Sequence, residues 1–169
     1  MTGQPRPRLG VLDFNPIQYH APLYQRLAQR GNVRLSVLYL HDRGYRPVVD
    51  PDFGVAIEWD IDLLSGYQHA FLATTGAAAP VPRQAAALTR WIRAQDIVVI
   101  HGHSHPWMLA ATLICRASRV PYLLRGDARP LGGAVGWRRV LRDTVARAVV
   151  LAGAGGLAVG QLNEQFYRR

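Results

Sequence analysis

The sequence predicts an α/β domain built on a parallel sheet with helices on both faces, and three observations carry that expectation. Short apolar, β-branched runs recur at residues 8–14 (RLGVLDF), 33–40 (VRLSVLYL), 96–100 (DIVVI) and 120–124 (VPYLL). Between them lie longer segments whose apolar residues repeat at helical spacing. Strand and helix therefore alternate, which is the pattern of β-α-β units and a parallel sheet. A chain of 169 residues suits one such domain, since single domains commonly run to roughly 100–200 residues.

The elements follow in order. Residues 8–14 form a short buried-type strand that Asn15 and Pro16 close. A helix follows, with Pro22 in its first turn, Leu23, Leu27 and the Tyr24 ring on its apolar side, and Gly31 and Asn32 at its end. Residues 33–40 give the second strand. Residues 41–75 are punctuated by Gly44, Pro47, Pro51, Gly54 and Gly66, and read as a long functional loop region with one candidate strand at 55–59. Residues 83–94 give an amphipathic helix, 96–100 a buried strand, and 101–106 the loop at its carboxyl end. Leu109, Leu113 and Ala117 mark a helix over 106–118, followed by the strand at 120–124. A helix over 137–150, a glycine turn at 153–156, a last strand at 157–159 and the start of a helix at 161–169 complete the chain.

Composition narrows the function. The formal charge is +9, yet all twenty basic residues are arginine and none is lysine. They are spread along the chain without a recognised nucleic-acid motif or aromatic-basic interleaving, so nucleic acid is not an expected partner. An anionic lipid surface or a phosphorylated ligand fits the charge better. Cys115 is the only cysteine, which excludes an internal disulfide and a cysteine metal cage and makes a reducing cytoplasm the expected compartment. The apolar stretch 145–160 is short, glycine-rich and interrupted by Arg147, so it does not read as a membrane span. Peripheral attachment at the inner face of the membrane stays open.

In open parallel sheets ligands bind beyond the carboxyl ends of the strands, and three such loops are chemically rich. The first carries Gln18, Tyr19 and His20. The second is His101-Gly102-His103-Ser104-His105-Pro106, with three imidazoles at alternate positions. The third carries Arg125 and Asp127. The histidines admit three readings. As zinc ligands they are poorly arranged, because alternate residues of an extended segment do not converge on one ion and the run has no carboxylate. They can be polar loop residues or cap the helix at Pro106. They can also meet substrate through a neutral ring. Arg125 can hold a phosphate or carboxylate with Asp127 positioning it, or the two can form an internal pair. No G-x-G-x-x-G follows the first strand, no P-loop lysine exists, and no G-x-S-x-G elbow is present, so neither a dinucleotide cofactor nor serine hydrolysis is expected. No cofactor and no metal are expected.

Taken together, several segments resemble the amino-terminal, acceptor-side domain of family 4 glycosyltransferases, which are retaining enzymes of the GT-B fold. They are Pro16-Ile17-Gln18-Tyr19-His20-Ala21-Pro22-Leu23; Phe53-Gly54 with Trp59-Asp60 and Leu63-Leu64-Ser65-Gly66-Tyr67; the stretch 96–105; Leu123-Leu124-Arg125-Gly126-Asp127; and the closing residues 157–167. The resemblance implies a single Rossmann-like domain over residues 1–169. That domain would hold an acceptor and face a second domain that binds a nucleotide sugar. It assigns His103 as the catalytic histidine that reaches the donor sugar, with His101 and His105 as rivals. Gln18, Tyr19 and His20 are implied to lie near the acceptor and donor phosphates; His101, His105, Arg125 and Asp127, from the reading of the strand ends, are the other expected substrate-binding residues. The first loop departs from the family's glycine-rich version, and the donor domain's paired glutamates have no counterpart before Arg169. The expectation is a domain inactive without a donor domain, which a separate chain could supply, with self-association through the surface meant for it. The alternative expectation is a non-catalytic Rossmann-like binding or interaction module.

Overall fold

The computed structural model describes residues 5–42, 45, 48–49, 56–57, 60–74, 79–102, 105–126 and 137–168. It is an α/β fold on a six-stranded parallel sheet. The strands are β1 (Arg8–Asp13), β2 (Arg34–His41), β5 (Gln68–Ala73), β6 (Ile97–His101), β7 (Tyr122–Gly126) and β8 (Gly155–Ala158). Their spatial order is β5-β2-β1-β6-β7-β8. Renumbered by their place in the sheet, this is the 3-2-1-4-5-6 order of a doubly wound Rossmann-like domain. A separate antiparallel pair joins β3 (Val48–Val49) to β4 (Ala56–Ile57), where one strand was expected at 55–59.

Helix α1 (Ala21–Arg30) covers one face, and α2 (Val81–Arg93), α3 (Pro106–Ser118) and α4 (Trp137–Ala152) cover the other. Right-handed crossovers dictate this division. The connection from β1 to β2 runs one way across the sheet and puts α1 on one side. The connections from β5 to β6 to β7 to β8 run the other way and put three helices opposite. Helix α5 (Gln161–Arg168) follows β8.

Side chains alternate between two cores, as the pleat requires. Leu12, Leu38, Val98, Ile100 and Leu124 point to the three-helix face and meet Leu88, Ile92, Met108 and Cys115. Val11, Val37, Tyr39 and Val99 point to the α1 face and meet Tyr24, Leu27 and Tyr67. On the three-helix face Gly10 is a requirement of packing, because a Cβ there would lie 2.7 Å from Gln95 Cγ and 3.0 Å from the Trp91 ring.

Strand β5 is the main departure from the sequence expectation, which gave residues 41–75 no strand beyond 55–59. It pairs in parallel with β2 from Ser36↔Gln68 to His41↔Ala73. It is an edge strand whose six residues are buried only at Leu72. A half-wet edge lacks the continuous apolar run by which central parallel strands are recognised.

Candidate functional site at the carboxyl edge of the sheet

The same alternation that builds the α1-side core sets up the site. Val11, Val99 and Leu123 lie side by side across β1, β6 and β7. Two residues further along, on the same face, stand Asp13, His101 and Arg125, with His101 and Arg125 in direct register. An apolar row thus gives way to a polar row at the carboxyl edge. It does so where β1 and β6 leave in opposite directions, the switch point at which open α/β sheets bind ligands. Gly102 takes a left-handed turn at φ 81° just after β6, and its N–H donates to the Arg125 carbonyl at 2.7 Å. That bond ties the two strand ends together.

Asp13 is the centre of the group and is 3% exposed. A buried carboxylate needs partners, and α1 supplies two of them from adjacent turns. Tyr24 Oη donates to Asp13 Oδ2 at 2.7 Å, and His20 Nδ1 lies 2.7 Å from the same oxygen. The Phe14 N–H donates to Oδ1 at 2.8 Å, and His101 Nδ1 is 3.5 Å from Oδ1. Residue 20 is the N-cap of α1, yet its side chain makes no capping bond; it turns to the carboxylate instead.

Arg125 completes the group, with one guanidinium nitrogen 2.9 Å from His20 Nε2. The proton positions follow from donor and acceptor types. An ionised carboxylate only accepts, so His20 donates from Nδ1; a guanidinium only donates, so His20 accepts at Nε2. His20 is therefore a neutral bridge between a buried anion and a cation. The same Arg125 nitrogen is 3.3 Å from His101 Nδ1 and 3.5 Å from its Nε2. A neutral imidazole has only one unprotonated nitrogen to accept, so this is one weak bond combined with contact against the ring.

Burial pushes the Asp13 carboxyl up, but the His20 hydrogen bond, the charges of His101 and His20 when protonated, and the Tyr24 hydroxyl together hold it below its ordinary value. His101 goes the other way. Burial drives it down to about 4 against the pull of Asp13, with His20 and Arg125 adding to the fall. At neutral pH His101 is accordingly uncharged, and what keeps Asp13 ionised is the pair of short bonds from α1. Burial and the neighbouring Asp13 hold the Tyr24 hydroxyl far above the ordinary phenol range, so it stays protonated and donates to Asp13, while its oxygen lies 3.3 Å from His101 Nε2.

Asp13, His20 and His101 each offer a ligand atom within 4.8 Å of the others, a donor set that could suit a divalent cation. Two features oppose it. His20 Nδ1 is committed to Asp13, and the Arg125 guanidinium stands against the other ring nitrogen, where an ion would have to sit. The arrangement supplies its own cation.

Of the residues singled out from sequence, His20, His101 and Arg125 come together. Tyr19 is 77% exposed and Gln18 is half-buried; among the described residues neither joins the hydrogen-bonded group. His105 lies apart as the N-cap of α3, accepting from the Trp107 N–H at 3.3 Å. Its ring packs edge-on against Phe14 and His41. His103 and Asp127 lie outside the described residues. Asp13 and Tyr24 were not anticipated as site residues. Asp13 carried a readable signal as the one charged residue between Leu12 and Phe14, on the same alternation as Leu9 and Val11. Tyr24, expected only as part of an apolar helix face, sits one turn after His20 and shares its carboxylate.

Beside the polar row an open groove of about 410 Å³ runs along the α1 side of the sheet, its floor made by Val11, Val99, Leu123 and Leu157 and its wall by Leu23 and Leu27. His101 and Arg125 stand at its end.

Fold and site together define a Rossmann-like α/β domain with a charged, histidine-bridged group at its switch point. Compared with known proteins, the sequence matches no family model and no curated protein significantly. Among the described residues no helix is long and apolar enough to cross a membrane.

Proposed function

We propose that this chain is the acceptor-side domain of a retaining GT-B glycosyltransferase, working with a donor-binding domain in the same polypeptide or on a separate chain. The reading rests on the resemblance of its loop segments to family 4 enzymes. The observation that best supports it is the meeting of His20, His101 and Arg125, three residues from the resembling segments, at the switch point of the sheet. A neutral imidazole beside a guanidinium suits recognition of sugar hydroxyls and phosphate oxygens. In this reading His103 keeps the role the resemblance gives it, with His101 as its rival, Arg125 holds an anionic group, and Asp13 is a positioning residue that orients His20. The expected place of work is the cytoplasm, with attachment at the inner face of the membrane left open.

The test is transfer of labelled sugar from a nucleotide sugar to a lipid or glycan acceptor. It is run with the chain alone and then with a donor domain encoded in frame or next to it. Transfer only in the second case, lost in His103→Ala, is the expected result. Robust transfer by the chain alone contradicts the two-part arrangement.

One observation favours a second reading, a non-catalytic binding module. The polar row is satisfied internally, with each nitrogen of His20 bonded and both short bonds of Asp13 in place. Absence of transfer with a competent donor domain, together with ligand binding that shifts the His20 and His101 resonances, selects this reading.

A further inference from the structure

Parallel sheets are normally covered on both faces, but here α1 reaches only as far as β6 on its side, where Val99 meets Tyr24, and Leu157 and Val159 at the β8 end stay 40% and 59% exposed. The reason is topological, since the crossovers that reach β7 and β8 place their helices opposite. What remains is the groove described above, apolar along its length and closed by a cation at one end. Its rim is partly wet, with Leu23 at 43% exposure as well.

The charge at the end is hydrogen-bonded to His20 but not paired with a described anion. Among the described residues no carboxylate lies within ion-pair distance of Arg125, whose contacts are the rings of His20 and His101. The lining restricts the occupant. Leu23, Leu123, Leu157 and Val159 are apolar and Arg125 is cationic, so the groove matches a ligand that joins a hydrocarbon part to an anionic head. A bare sugar would leave the apolar lining unmatched.

We propose that the groove binds one amphiphile, with its hydrocarbon chain over Leu123, Leu157 and Val159 beside Leu23 and its phosphate or carboxylate head on the Arg125 guanidinium. That this amphiphile is the sugar acceptor rests on the transferase reading above; that it binds does not.

The experiment measures binding to the whole chain with no donor domain or nucleotide sugar present, so that its outcome is separate from that of the transfer assay. Hexyl, octyl and decyl phosphate are titrated as monomers, below the concentrations at which they form micelles, and followed by calorimetry. Each added methylene should tighten binding roughly fourfold until the groove is full. Inorganic phosphate and decanol, each lacking one half of the ligand, should bind at least tenfold more weakly than decyl phosphate. Arg125→Gln should bring decyl phosphate down to the level of decanol. Leu157→Asp, at a half-exposed position on β8 that the fold tolerates, should flatten the dependence on chain length. Unchanged thermal unfolding of Leu157→Asp shows that the loss is local. An affinity independent of chain length overturns the proposal, as does indifference to both substitutions. So does a concentration-dependent dimer that protects Leu157 and excludes the amphiphile.

Discussion

The two faces of the sheet are built from neighbouring residues of the same strands, yet they do different work. On the three-helix face Leu12, Val98, Ile100 and Leu124 are almost fully buried among aliphatic side chains. On the α1 face the same strands carry Val11, Val99, Asp13, His101 and Arg125, against a tyrosine-rich cluster and an open groove. One face is closed and apolar; the other is polar at its edge and half uncovered. Stability is concentrated on the first and chemistry on the second, one residue apart in sequence.

The largest effect should come from opening a cavity on the closed face. Leu12→Ala should cost about 2–5 kcal/mol in urea unfolding while leaving the His20 and His101 resonances where they are. A loss under 1 kcal/mol would break the contrast between the faces. Next comes acid. His101 has a folded value of about 4 against an ordinary 6.5, so between those values the unfolded chain takes a proton that the folded chain refuses. Stability from this group is complete above pH 6.5 and declines as the pH falls toward 4, by on the order of 3 kcal/mol. Asp13, held below its ordinary value, adds a further loss as the pH drops through its own folded value. His101→Gln should flatten the stability curve between pH 6.5 and 4; a curve unchanged by that substitution would place the slope elsewhere.

A smaller effect is expected for Asp13→Asn, which keeps the shape but weakens the bonds from Tyr24 and His20. A cost of about 1–3 kcal/mol with a shifted His20 nitrogen resonance is the expected outcome, whereas a shift confined to Phe14 would deny Asp13 its central place. The smallest should be Arg8→Gln. Its ion pair with Asp96, in which two guanidinium nitrogens meet Oδ1 at 2.6 and 3.2 Å, is exposed at the amino edge, far from the polar row, and such pairs contribute little. Thermal unfolding should move less than in any other variant, and a change in ligand binding would show that the two ends of the sheet are coupled.

The central strands were legible because burial on both faces forces continuous apolar runs, as in residues 96–100. The helices over 106–118 and 137–150 were legible from spacing and proline. β5 was not, because His69 and Gln68 break the run at a wet edge. The site was legible in part. Position at the ends of strands pointed to His20, His101 and Arg125, but nothing local told His101 from His105, two turns of the backbone apart in role. One ends a strand and faces the α1 side; the other caps a helix. Asp13 stood out as a charge between Leu12 and Phe14, but its meaning depends on α1 folding back to present His20 and Tyr24. Long-range convergence of that kind has no periodic trace.

That convergence also makes α1 a gauge. His20 and Tyr24, one turn apart, both clasp a single oxygen of Asp13, while Leu23 and Leu27 on the same helix form the groove wall. Sliding the helix along its axis would stretch at least one of the two clasps and move the groove wall with it. The carboxylate thus holds the helix at one setting along the sheet, and the calibre of the groove is fixed by the same two bonds that orient the histidine.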